Sequence, residues 1–188
     1  MIDSTTPTPD RAGHGIDHLV LRLVALGEEH LEDVRSMLDD PDILRFTRIP
    51  EPTPEDFPER WVERYRKARA DGTGEGFAAL DGDGRFVGLA LAPTINREDA
   101  EVELGYIVSA HARGRGVATE MLRQLTRWAF DEAGALRIVL IIDVENVASE
   151  RVAARCGYVR EGVMRSSHLK QGIRIDAAVW SRLPSDAD

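Results

Sequence analysis

The residues of this chain best suited to chemistry form a short run, Arg113-Gly114-Arg115-Gly116-Val117-Ala118. It lies between a stretch that alternates and a stretch with helical spacing. A strand that turns through glycines into a helix points several unpaired backbone N–H groups at one spot, and the helix dipole adds partial positive charge there. Arg113 and Arg115 add full charge. Such a turn is an anion site, and a pyrophosphate is its natural guest. Gly-x-Gly alone is a weak signal, because glycines in such a turn serve tightness as often as a ligand. Other chemistries lack their residues. No lysine follows the glycines as a Walker motif requires. No acidic residue stands where a dinucleotide fold would place one. No Cys/His cluster suggests a metal.

The elements that must position this turn are legible around it. Val102, Leu104, Tyr106 and Val108 can face one side of a strand, with Glu101, Glu103 and Gly105 on the other. Val117, Ala118, Met121, Leu122, Leu125, Trp128 and Ala129 recur as one apolar helix face, and that helix ends near Gly134. Upstream, residues 18–24 read as a first strand and 28–38 as a short helix. Five prolines stiffen residues 41–58, which read as a long loop, either a lid or an ordinary connection. Asp56 is expected to cap the next helix, with Glu59 completing a capping box. Phe57, Trp61 and Tyr65 on that helix form an aromatic stripe suited to a core. Residues 76–80 and 85–92 form a hairpin around Asp81-Gly82-Asp83-Gly84. Residues 136–143 are a nearly continuous apolar strand. A helix starting near Asn146 stops at Gly157. On it Cys156 reads as a small packed side chain rather than a nucleophile. Strands at about 158–164 and 173–182 close the chain.

Composition narrows the classes further. A length of 188 residues suits one domain with a full core. The net charge of −9 argues against a general nucleic-acid binder and is compatible with an amine acceptor. The longest aliphatic run, Ile138 to Ile142, is too short to span a membrane. The single cysteine excludes an internal disulfide and permits a reducing compartment, so a cytoplasmic location is expected. Residues 1–15 read as a flexible tail. His14 and His18 read as solvated histidines.

Three motifs in order carry a resemblance. Arg113 to Ala118 fits [Arg/Gln]-x-x-Gly-x-[Gly/Ala] and resembles the acyl-CoA pyrophosphate loop of the GCN5-related N-acetyltransferases, the GNAT family. Glu103-Leu104-Gly105-Tyr106 resembles the preceding strand in the branch that acetylates ribosomal-protein N-termini. Asn146-Val147-Ala148-Ser149 and Cys156-Gly157-Tyr158 resemble that branch's later motifs. The resemblance covers residues 17–183. It implies an α/β (α+β) fold with a single domain over residues 16–184. A mostly antiparallel mixed sheet of about seven strands would be flanked by about four helices, with acyl-CoA in a splayed-strand cleft. It also implies transfer of an acetyl group from acetyl-CoA, or from another acyl-CoA, to a primary amine by direct attack, without a metal. The amine would belong to a protein N-terminus or a small molecule. The backbone of Gly114 to Ala118, with Arg113 or Arg115, would hold the pyrophosphate. An N–H near Ile107 or Val108 would meet the oxyanion. Glu103 would be the base and Ser149 would serve the leaving sulfur. Asn146 would orient pantetheine or acceptor, or cap its helix. The resemblance further implies that the loop and helix at 41–65 line the acceptor groove and that the chain forms a homodimer. The alternative is a non-catalytic acyl-CoA-binding regulatory module, in which Glu103 and Ser149 are structural.

Overall fold

The computed structural model describes residues 19–186. The expected tail, with His14, and also His18 lie outside the described residues. Twelve labelled elements follow in order: β1 (Leu21–Ala25), α1 (Leu31–Met37), α2 (Pro41–Phe46), α3 (Phe57–Asp71), β2 (Glu75–Asp81), β3 (Phe86–Asn96), β4 (Glu101–Val108), α4 (Val117–Asp131), β5 (Arg137–Asp143), α5 (Val147–Arg155), β6 (Val159–Lys170) and β7 (Ile173–Arg182). Short 3₁₀ turns at Glu28–His30 and Ala110–Ala112 lead into α1 and the glycine turn.

One sheet has the order β1-β2-β3-β4-β5-β7-β6. Every pair is antiparallel except β4 with β5. That parallel pair holds only at Glu101–Arg137, Val102–Ile138 and Glu103–Val139. Beyond Glu103 the two strands separate.

Each face of the sheet carries its own core. On one, Val117, Met121, Leu122, Leu125 and Ala129 of α4 pack with Val102 and Leu104 of β4 and with Ile138, Leu140 and Ile142 of β5. On the other, Trp61, Val62 and Tyr65 of α3 pack with Val34, Met37, Ile43, Leu89, Leu91 and Ile107. The alternation of β4 therefore sorts residues between two buried layers. Fully burying one such Leu contributes about 1.5–3 kcal/mol. Gly88 permits close strand contact, since a Cβ there would lie 2.1 Å from the Ile107 carbonyl oxygen.

The α/β sheet, its strand number and the splayed strands agree with expectation; several details do not. The described residues hold five α-helices, one more than the sequence reading located, because α2 forms inside the stretch read as a loop. Pro41 sits in its first turn, where a missing N–H costs nothing. Asp40 caps it, accepting the Asp42 N–H at 2.9 Å. The capping box at Asp56 and Glu59 does not form. Glu59 instead accepts from Arg35, and Asp56 pairs with Arg60 at 3.2 Å. Strands β3 and β6 run longer than the apolar patterns suggest, each through a register shift.

Candidate active site

The separation of β4 and β5 opens a cleft of about 610 Å³. Its lining includes Leu104 to Ile107 of β4, Leu140 to Asp143 of β5, Asn146 and Ser149 at α5, and Trp61, Arg64 and Tyr65 of α3. Residues from both sides of the sheet line one space, so the gap connects the α3 face with the α5 face.

Glu103 stands at the last paired rung, where the strands begin to part. Its side chain is half-buried. Burial raises its carboxyl above the usual range, opposed by the nearby Arg48 and Arg64 cations. A carboxyl with a raised pKa at a cleft apex suits proton transfer.

Strand parity decides which N–H groups face the gap. The Ser109 N–H donates to the Val87 carbonyl at 3.0 Å. Ile107, two residues earlier, shares that orientation and directs its N–H toward β3. The Ile107 N–H, one of the two expected to face a reacting oxygen, therefore does not face the gap. The N–H groups of Leu104, Tyr106 and Val108 point toward the gap. The Val108 carbonyl on the same side accepts from Arg113 Nε at 3.2 Å.

The glycine turn lies just beyond β4. Gly114 and Gly116 have φ of 76° and 83°, a region that favours glycine, and a Cβ at either would meet nothing within 4 Å. No described acceptor takes the N–H groups of Gly114, Arg115 or Gly116. Val117 and Ala118 open α4, so their N–H groups lack intrahelical acceptors. The two arginines differ. Arg113 is committed to Asp40 at 2.6 Å and Asp42 at 3.3 Å, tying the turn to the α2 cap. Arg115 is exposed and has no ion pair or hydrogen bond among the described residues.

Asn146 caps α5, its Oδ1 accepting the Ser149 N–H at 3.1 Å. The Ser149 hydroxyl itself is not bonded to backbone, and both residues line the cleft. Cys156 is buried between α4 and α5, and its Sγ donates to the Thr119 carbonyl at 3.5 Å. Burial pushes its thiol pKa up, as expected of a packed side chain.

Two residues of interest escaped the sequence reading. Tyr106, read as an inward apolar position, lines the cleft, and its hydroxyl makes a long 3.5 Å contact with the Ser149 carbonyl. Burial pushes its pKa up to about 12, so it stays a donor at neutral pH. Its one sequence signal is an aromatic near the end of the strand that leads to the glycine turn. His168 reaches the cleft through a bulge: four steps from Met164 to His168 oppose two from Ala177 to Ile175. Its Nδ1 is buried without a partner, and burial holds its pKa below the ordinary value. Nothing in the sequence announces that bulge. Among the described residues, no group of three or more His, Cys, Asp or Glu is placed to hold a metal ion. No described helix is long and apolar enough to cross a membrane.

Comparison with known proteins agrees with this architecture. The chain is 32% identical over 148 residues to the FsC-acetyl coenzyme A-N(2)-transacetylase of Aspergillus fumigatus, covering 73% of this chain and 61% of that protein. It spans about three-fifths of the length of the curated relatives it matches. Its fold is similar to the spermidine N-acetyltransferase of Vibrio cholerae in complex with CoA and spermine. That match has a TM-score of 0.78 and 23% identity, over 88% of this chain and 96% of the other. It is also similar to RimL, a ribosomal alpha-N-protein acetyltransferase, in complex with coenzyme A. There the TM-score is 0.79 at 20% identity, over 87% and 94% of the two chains. The family described as "Acetyltransferase (GNAT) domain" matches residues 19–159, and the chain belongs to that family.

Proposed function

We propose that this chain is an acyl-CoA-dependent N-acyltransferase. It moves an acetyl group from acetyl-CoA to a primary amine, of a protein N-terminus or a small molecule, by direct attack in a ternary complex. The observation that carries the reading is the single gap between β4 and β5, with a proton acceptor at its apex and a glycine cradle beyond its open end.

The pyrophosphate of acetyl-CoA sits on the N–H groups of Gly114 to Ala118, with Arg115 as the available cation. The pantetheine arm runs along the exposed edge of β4 toward Glu103, beside Asn146. The acceptor enters from the α3 face. Glu103 takes a proton from the ammonium, directly or through water, and the neutral amine attacks the thioester carbonyl carbon. The Val108 N–H is the gap-facing donor for the oxyanion. The C–S bond then breaks. The attacking nitrogen gives up its second proton, which reaches the leaving thiolate through water or through the Ser149 hydroxyl, the hydroxyl taking one proton as it donates another, with the Tyr106 hydroxyl close to the same turn.

Calorimetric titration with acetyl-CoA tests the first half, and thiol release with a panel of primary amines tests the second. Micromolar affinity, about −8 kcal/mol, is expected. Absence of acetyl-CoA binding refutes the reading. A homodimer and a cytoplasmic location belong to the same proposal. Edge strand β6 exposes Val159, Val163 and Leu169, and sedimentation velocity at two concentrations checks the dimer.

A further inference from the structure

The cleft is cationic in a chain whose net charge is −9. Arg45, Arg48, Arg60 and Arg64 line it against two carboxylates, Glu103 and Asp143. Two of the arginines are already neutralised. Arg45 pairs with Glu145 at 2.9 Å, and Arg60 with Asp56 at 3.2 Å. Arg48 and Arg64 have no carboxylate within ion-pair distance among the described residues. Arg64 lies over the Tyr65 ring, 5.0 Å from its centroid, and makes only a long 3.5 Å contact with the Tyr65 hydroxyl. Stacking sets the guanidinium plane and leaves N–H groups of its fork unspent. Asp143 is engaged on the β5 side, where its Oδ1 accepts the Glu145 N–H at 2.8 Å.

Arg48 and Arg64 both act electrostatically on Glu103. Arg48 acts also on His168, whose buried Nδ1 lacks a partner. The two unpaired cations, the carboxylate that would receive the acceptor's proton and an imidazole with an unpartnered buried nitrogen thus line one cleft. A polyamine would bring two or more positive charges to this cleft and find two carboxylates, one of them engaged. A guanidinium pair is instead matched to a carboxylate or phosphate, which it can bind bidentately.

We propose that the acceptor is a primary amine carrying an anionic group, carboxylate or phosphate, a few bonds from the nitrogen, and that Arg48 and Arg64 hold that group while the amine faces Glu103. This rests on the N-acyltransferase reading and narrows its substrate class. A free amino acid or phosphorylated amine and an acidic peptide N-terminus offer the same chemistry.

The test uses the full chain with acetyl-CoA and follows thiol release. The acceptors are glutamate and its diamide, phosphoethanolamine and ethanolamine, spermidine, and peptides beginning Ala-Glu or Ala-Lys. Each anionic amine that is accepted should exceed its uncharged partner by at least about tenfold in kcat/KM, the size of one charge-assisted contact. Spermidine should rank last. Activity on the free acids alone identifies a small-molecule acceptor, and activity on the Ala-Glu peptide alone identifies a chain terminus. Arg48→Gln and Arg64→Gln should each raise KM for the anionic amine and shrink the preference to within about threefold. Both side chains are exposed, and thermal melts check that the variants fold. The proposal is overturned if uncharged amines or spermidine are used as well, if either variant keeps the full preference, or if no anionic amine is acylated. Turnover of uncharged amines would remove the anionic class and leave the acyltransferase standing. Loss of acetyl-CoA binding itself would remove both.

Discussion

Replacing Gly116 separates the glycine turn's two duties, backbone geometry and ligand space. Gly116 is the residue before α4, with φ 83° and ψ 0°. A side chain there forces an L-residue into the left-handed region, at about 1–2 kcal/mol. A Cβ meets nothing within 4 Å, so no packing penalty is added. Against a typical stability of about 5–15 kcal/mol the fold survives. For a chain of this size each kcal/mol lowers Tm by about 2–4 °C, so Gly116→Ala should melt about 2–8 °C lower. Gly134 is a matched control, with φ 72° and equally open space at the far end of α4. Gly134→Ala should show a similar fall and keep wild-type affinity for acetyl-CoA. Gly116→Trp should fold and lose more than a hundredfold in affinity by calorimetry, about 2.8 kcal/mol, because the indole fills the mouth of the turn. Wild-type affinity in a folded Gly116→Trp protein would show that the turn does not hold the pyrophosphate.

Glu103→Gln should lower kcat/KM by a hundredfold or more while acetyl-CoA affinity is unchanged; an unaffected rate would make the carboxylate structural. Burial raises the Glu103 pKa above 4.5, so its ionisation opposes folding. That cost is absent below pH 4.5 and grows as pH rises through the folded value, so the Gln variant should melt higher at pH 8 and equally at pH 4. Glu161 behaves oppositely: hydrogen bonds from Arg137, at 2.7 Å each, and from Ser181 pull its pKa down to about 2. Its contribution is present above pH 4.5 and lost as pH falls toward 2, and solvent screening limits it to about 1 kcal/mol or less, so urea melts of Glu161→Gln at pH 7 and pH 2 should differ from wild type only at pH 7. The buried, unactivated Cys156 should resist a thiol reagent in the native state and react fully in urea, and fast native labelling would contradict its packing.

Short-range patterns made much of this molecule legible. Period-two spacing placed Glu103 opposite Leu104, and helical spacing gave the buried face of α4. Gly157, at φ 77°, ends α5 as its position suggested. What escaped the sequence depends on partners distant in the chain. Arg113 looked available until the α2 cap, some seventy residues earlier, took its charge through Asp40 and Asp42. His168 enters the cleft only because β6 bulges against β7. The α2 helix was hidden because proline was read as a loop signal, although proline after an aspartate equally marks a helix start.

The gap itself follows from which neighbours hold its two edges. Six rungs to β7 support β5 over Ile138–Asp143, and β3 supports β4 along its far edge. Neither strand needs the other beyond Glu103. Arg137 fastens the closed end, bonding Glu101 on β4 at 2.8 Å and Glu161 on β6. Parting the strands there leaves backbone groups of β4 facing the gap, and only the Val108 carbonyl is met by a described side chain, that of Arg113. Backbone groups excluded from a ladder must find water or a ligand. A strand edge able to donate N–H groups, opening beside a half-buried carboxylate, is therefore suited to an extended, amide-containing ligand that can complete the missing ladder. The pantetheine arm of an acyl-CoA has that character, which ties the shape of the sheet to the proposed reaction.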